Sequence, residues 1–148
     1  MNIEIKEMDE KDRKGLRDIL RDSFDTLHTL DSLELDFYID GQNRPCQWFV
    51  ARSRQGHVIG CINASTRSNE GYINSLSVIE GFRGHGIGSM LVQEACEFLK
   101  TNGCNSVFLY VRPTNEGAQV FYEKLGFTNC GLTKSQTLED VVMLRKMI

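Results

Sequence analysis

The 148-residue sequence predicts an α/β fold: one mixed sheet of about six or seven strands with helices on both faces. Two observations carry this expectation. Between Gln47 and Val78, three runs alternate apolar and polar residues and are separated by short polar turns, as in a meander. Beyond Val78 the apolar period changes from 2 to 3.6 and back, so that strand, helix, strand and helix follow in order.

Taken in order, Ile3 and Ile5 alternate with Glu4 and Lys6 and predict a short first strand. Asp9 can cap the helix that follows, whose buried face is Leu16, Ile19, Leu20 and Phe24. The segment Thr26 to Pro45 is compatible with a second short helix through Leu27, Leu30, Leu33, Leu35 and Phe37 before a turn at Gly41 to Pro45. Trp48 to Ala51, His57 to Ala64 and Tyr72 to Val78 are the three meander strands, and apolar alternation is expected throughout the last. A helical stripe of Ile87, Met90, Leu91, Ala95, Phe98 and Leu99 then runs to a glycine cap at Gly103. Ser106 to Val111 reads as a strand, Asn115 caps a helix through Ala118, Phe121 and Leu125, and Phe127 to Leu132 and Val141 to Leu144 close the sheet.

Composition narrows the class of function. A chain of 148 residues has room for one domain, residues 1–148, with a core that needs neither disulfide nor metal. Seventeen Lys and Arg against 20 Asp and Glu, without a basic block, speak against a nucleic-acid partner. Met1 to Lys14 is charged throughout and no long apolar run occurs, so a cytoplasmic protein without a membrane partner is expected. Five scattered cysteines lack a Cys-x-x-Cys pair and are expected to be reduced thiols, with no metal bound.

The chemistry is concentrated in Leu76-Ser77-Val78-Ile79-Glu80-Gly81-Phe82-Arg83-Gly84-His85-Gly86-Ile87-Gly88-Ser89, a strand that passes through a glycine-rich turn into a helix. Glycines let successive main-chain N–H groups approach one point, and the N-terminus of a helix adds unsatisfied donors and a positive dipole end. A diphosphate suits such a turn. The dinucleotide fingerprint Gly-x-Gly-x-x-Gly fails because Ser89 stands where a glycine is required, and the P-loop fails because no lysine lies between Gly81 and Gln93.

What matches is Arg-x-x-Gly-x-Gly, as Arg83, Gly86 and Gly88, which resembles the pyrophosphate loop of the GNAT superfamily of N-acetyltransferases. Leu109-Tyr110-Val111, followed by Asn115, Ala118, Phe121, Tyr122, Lys124, Gly126 and Phe127, resembles the strand and helix that come next in that family. The resemblance covers Tyr72 to Phe127. It implies a GNAT-like sheet with splayed parallel central strands, about four helices, and acetyl-CoA as cosubstrate. Leu76, Ser77 and Val78 would then hold the pantetheine arm, and the amides of Arg83, Gly84, His85, Gly86, Ile87, Gly88 and Ser89 would cradle the diphosphate. Asn115 would bond the pantetheine.

The resemblance places Tyr122 where a hydroxyl protonates the departing thiolate, a sensible acid because phenol and thiol pKa values differ by about 1.5 units. Tyr72 and Asn74 lie where the family often draws its base, with Glu70, Glu34, Asp36 and Tyr110 as further candidates. The expected reaction is direct acetyl transfer to a primary amine, of a small molecule or of a peptide, by a monomer or homodimer. The alternatives are a non-catalytic acyl-CoA-binding sensor or interaction module, and a nucleotide binder.

Overall fold

The computed structural model describes residues 2–41 and 45–148, so part of the expected Gly41 to Pro45 turn lies outside the described residues. Strands β1 (Glu4–Glu7), β2 (Cys46–Arg52), β3 (Val58–Arg67), β4 (Glu70–Val78), β5 (Ser106–Val111), β6 (Thr128–Lys134) and β7 (Asp140–Met147) form one seven-stranded sheet in the order β1-β2-β3-β4-β5-β7-β6. The contact between β4 and β5 is parallel and the other neighbouring pairs are antiparallel.

Helices α1 (Arg13–Ser23) and α2 (Ser32–Ile39) cover one face, and α3 (Ile87–Thr101) and α4 (Glu116–Lys124) cover the other. Asp9 caps a 3-10 turn, Glu10–Asp12, that leads into α1, whose Leu16, Ile19 and Leu20 are buried. Phe24 ends that helix in an extended conformation instead of continuing it. A capping box between Asp31 and Glu34 starts α2, which buries Leu35 and Ile39 and leaves Leu33 and Phe37 exposed. On the opposite face, Leu91, Ala95 and Leu99 of α3 pack with Ile62, Ile73, Val107, Leu109 and Leu144 from the sheet.

Two irregularities of β4 shape the middle of the sheet. The first corrects the expected alternation. Pairing with β3 shifts between Cys61↔Ser77 and Asn63↔Asn74, so β4 carries an extra residue there, and Ser75 takes a left-handed φ of 57°. The bulge is held from both sides: the Tyr38 and Ser75 hydroxyls are 2.6 Å apart, and the Cys61 thiol donates to the Ser75 carbonyl at 3.3 Å. The second is a fork. β4 and β5 pair only from Glu70↔Ser106 to Tyr72↔Phe108, whereas β5 stays paired with β7 as far as Val111.

Candidate functional site

Beyond the fork, the edge of β4 that faces β5 has no strand partner. The Ile79 amide donates to the Ile59 carbonyl, so the backbone groups of residues 77 and 79 face β3. Those of Leu76 and Val78 therefore turn to the gap. Arg83 Nε donates to the Val78 carbonyl at 2.8 Å, which ties the glycine-rich turn to this edge.

The turn arises from its sequence. Gly84 and Gly86 have φ values of 82° and 79°, conformations in which an L side chain is strained. A Cβ built on either meets nothing within 4 Å, so the backbone there faces open space. Gly86 is the N-cap of α3, makes no side-chain cap, and is followed by no acidic residue in the first turn. The first amides of α3 at Ile87, Gly88 and Ser89, together with the dipole end, are left to an external anion. The Arg83 amide, by contrast, donates to the Glu80 carbonyl at 3.3 Å, which removes it from the expected cradle. Gly88 also packs: a Cβ there would lie 3.3 Å from Phe121 Cζ, so this glycine lets α3 approach α4.

Gap and turn lie along one continuous cleft of about 1320 Å³. Its walls include Leu76, Ser77, Val78, Arg83, Gly84, Gly86, Ile87, Gly88, Ser89 and Asn115, so the structure brings together nearly all of the expected coenzyme residues. His85 is exposed and does not line it. Asn115 Oδ1 accepts from the Ala118 amide at 3.0 Å, so its cap is formed while the residue remains on the wall. Ser77 is fixed by the hydroxyl of Ser23 at the end of α1, 2.6 Å away. Asp22 and Glu80 line the same cleft, so an anion would be held by main-chain amides, the helix end and the Arg83 guanidinium. The cleft is larger than the usual small-molecule pocket and suits an elongated ligand with a phosphorylated end and an amide-bearing arm. Among the described residues no cluster could hold a metal ion, and no helix is long and apolar enough to cross a membrane.

Tyr122 does not line this cleft; its neighbour Phe121 does. The Tyr122 ring is buried, with Phe121 and Phe127 edge-on at centroid distances of 5.0 and 5.5 Å. Burial pushes its phenol well above the ordinary range, so it stays protonated.

Tyr72 stands on the α1 and α2 side of the fork, stacked with Phe108 at 5.0 Å and Tyr110 at 6.0 Å and covered by the Arg67 guanidinium at 4.9 Å. With Asn74 it forms a wall shared by two chambers. One, of about 420 Å³, is completed by Arg67, Tyr110 and Lys134 to Thr137; the other, of about 150 Å³, by Tyr38, Trp48, Asn63 and Ser65 among others. Asn74 Oδ1 and Asn63 Nδ2 are buried without a hydrogen-bond partner among the described residues, whereas buried polar atoms are usually paired with protein, water or ligand.

The carboxylates considered as bases are engaged elsewhere. Glu70 pairs with Arg145 and accepts from Ser106, Asp36 pairs with Arg13 and Arg17, and Glu34 caps α2. Sequence reasoning missed Arg67, Asn63 and the β6–β7 turn as parts of a site. No local signal marks them, since an arginine at a strand end and a polar residue inside a strand are ordinary.

Comparison with known proteins adds three findings. Residues 13–127 match the family described as Acetyltransferase (GNAT) family. Among curated proteins, the N-acetylaspartate synthetase of Danio rerio is 32% identical over 114 residues, which cover 76% of this chain and 39% of that protein; this chain therefore spans well under half of that relative's length. An uncharacterized N-acetyltransferase of Methanocaldococcus jannaschii is 30% identical over 145 residues, 96% of this chain and 90% of its own. Among solved structures, the PaiA N-acetyltransferase of Thermoplasma acidophilum in complex with coenzyme A superposes with a TM-score of 0.75 at 21% identity, covering 100% of both chains, a likeness of fold.

Proposed function

The chain belongs to the acetyltransferase (GNAT) family, and on that premise we propose that it transfers an acetyl group from acetyl-CoA to a primary amine by direct attack in a ternary complex. One observation carries the reading: the unpaired β4 edge at Leu76 and Val78 and the uncapped first turn of α3 line the same cleft. The free strand edge suits the amides of a pantetheine arm, and the turn from Gly84 to Ser89 suits a diphosphate. Asn115, on the α4 wall, adds a polar contact to the arm.

The cosubstrate supplies an activated thioester carbonyl; the chain supplies position and protons. An N–H of the β4 edge near Leu76 or Val78 faces the gap and would stabilise negative charge on the carbonyl oxygen. Tyr122, which lies behind the wall residue Phe121 and is kept protonated by burial, would have to reach the cleft to supply the proton for the leaving sulfur. Tyr72 and Asn74 form the wall on the other side of the fork, where the amine enters, and Tyr72 would assist removal of the amine proton through water. Among the described residues no carboxylate or imidazole lines that chamber, so the amine would arrive neutral or lose its proton to solvent.

The reading comprises a single catalytic domain over residues 1–148, cytoplasmic and reduced in keeping with its scattered free thiols, acting as a monomer or homodimer on a small-molecule or peptide amine. Two measurements test it. Calorimetry should show acetyl-CoA binding that ATP and NAD do not compete away. Thiol release in the presence of amines should then be steady; binding without thiol release across a broad amine panel would leave only a coenzyme-binding module.

A further inference from the structure

We propose that the acceptor is an amine that carries a carboxylate, which Arg67 recognises above the Tyr72 ring; this inference rests on the acetyltransferase reading above. Arg67 closes β3 and leans over the chamber formed by Tyr72, Asn74, Tyr110 and the β6–β7 turn. Its guanidinium carbon lies 4.9 Å from the Tyr72 ring centre and 5.9 Å from that of Phe108, so this exposed side chain rests against two aromatic rings.

Glu70 stands opposite Arg67 in the β3–β4 register, but its carboxylate is taken up by Arg145 and Ser106. Among the described residues, the chamber lining holds two cations, Arg67 and Lys134, and no aspartate or glutamate. Lys134 is neutralised by Asp140, whereas Arg67 makes no ion pair among the described residues. A guanidinium with free donors matches the two oxygens of a carboxylate in a bidentate fork, a geometry that an ammonium or a neutral amide cannot use. The same charge opposes a polycationic acceptor such as a polyamine, and it favours the neutral form of a nearby amine.

The second observation concerns the amine. Asn74 Oδ1 is buried, lacks a hydrogen-bond partner among the described residues, and its side chain belongs to the same wall. An acceptor amine would complete it by donating one N–H, which leaves the nitrogen lone pair free for the thioester carbonyl. Arg67 and Asn74 thus offer complementary contacts to the carboxylate and the neutral amine of one small amino acid, or to the side chain and amine of an acidic first residue in a peptide.

The test compares matched acceptors on the full chain and on Arg67→Gln and Arg67→Lys. The acceptors are L-amino acids, their α-carboxamides, their decarboxylated amines, and short peptides with Asp or Asn first. Thiol release is followed, and the same compounds are titrated into the coenzyme A-loaded protein by calorimetry. Carboxylate-bearing acceptors should lead their uncharged partners by about 10- to 100-fold in kcat/KM, the span of a charge-assisted hydrogen bond. In Arg67→Gln that ratio should collapse toward one through KM, with part of it restored in Arg67→Lys; whether free amino acids or Asp-first peptides show the effect identifies the source of the carboxylate. Equal use of carboxylates and carboxamides, a preference for the decarboxylated amines, or an equal loss for all acceptors in Arg67→Gln overturns the inference and leaves the acetyltransferase reading standing. Arg67-dependent carboxylate binding without thiol release upholds the recognition and sinks the transferase reading. Absence of both binding and turnover with carboxylates overturns the inference.

Discussion

Replacing Tyr122 by Phe separates the packing that the structure shows for that side chain from the proton donation proposed for it. The ring is 8% exposed and meets Phe121 and Phe127 edge-on, and the hydroxyl has no hydrogen-bond partner among the described residues. Tyr122→Phe keeps both ring contacts, each worth about 0.5–1.5 kcal/mol, and removes one oxygen. No protein hydrogen bond is lost, so stability should change by less than about 0.5 kcal/mol. In a chain of this length that moves Tm by no more than about 2 °C. Turnover should fall much further, because removing a positioned proton donor costs about 10²- to 10⁴-fold.

The assay pairs thiol release at saturating acetyl-CoA and amine with calorimetric binding of acetyl-CoA and a melting curve. The expected outcome is a collapsed kcat, coenzyme affinity within about threefold, and an unmoved Tm. The pH dependence carries its own sign. Burial raises the folded-state phenol pKa, so the proton is held through neutral pH and lost only above the ordinary tyrosine value of about 10. The parent should therefore show no decline of kcat from this group below that pH. A variant with kcat within about threefold of the parent would remove Tyr122 from proton transfer and leave a packing residue.

Other outcomes follow from the same geometry. Gly86→Ala places a side chain at φ 79°, which should cost about 1–2 kcal/mol of stability, and its methyl group intrudes on the open side of the turn; acetyl-CoA binding measured by calorimetry should weaken about tenfold, against little effect on binding if the nest is not used. Asp12 and Arg52 form a buried ion pair in which Arg52 Nε donates to Asp12 at 2.7 Å, so Asp12→Ala should lower unfolding free energy in urea by about 3–5 kcal/mol. Burial alone would raise the Asp12 carboxyl pKa, but the hydrogen bond and charge of Arg52 outweigh it and hold it below the usual value. Its contribution is therefore complete above the ordinary Asp pKa of about 3.9 and lost as pH falls through the lower folded value, a decline that Asp12→Asn should flatten. Iodoacetamide on the folded protein should modify exposed Cys130 first and spare Cys61, which is fully buried with its thiol pushed up to about 12; equal labelling rates in mass spectrometry would contradict that burial.

Much of the coenzyme side is legible in the chain itself because its determinants are local. Glycines at positions that need positive φ, a helix that starts at them without a capping side chain, and an Asn that caps the next helix are all encoded within a few residues of where they act. The periods of 2 and 3.6 likewise locate the strands and helices, because each element buries one face whatever it packs against.

Only the tertiary structure decided the rest. The β4 bulge at Ser75 depends on Tyr38 and Cys61, which lie 37 and 14 residues away in sequence. The Arg83 amide turns inward to Glu80, and Gly88 makes a contact with Phe121. The second chamber draws Arg67 from β3, Asn74 from β4, Tyr110 from β5 and Ser135 from a distant turn. The sequence alone determined where the backbone would offer its amides, because conformational preference acts over neighbouring residues. Which side chains face one another across the fork was settled by long-range packing, which leaves no periodic trace in the chain.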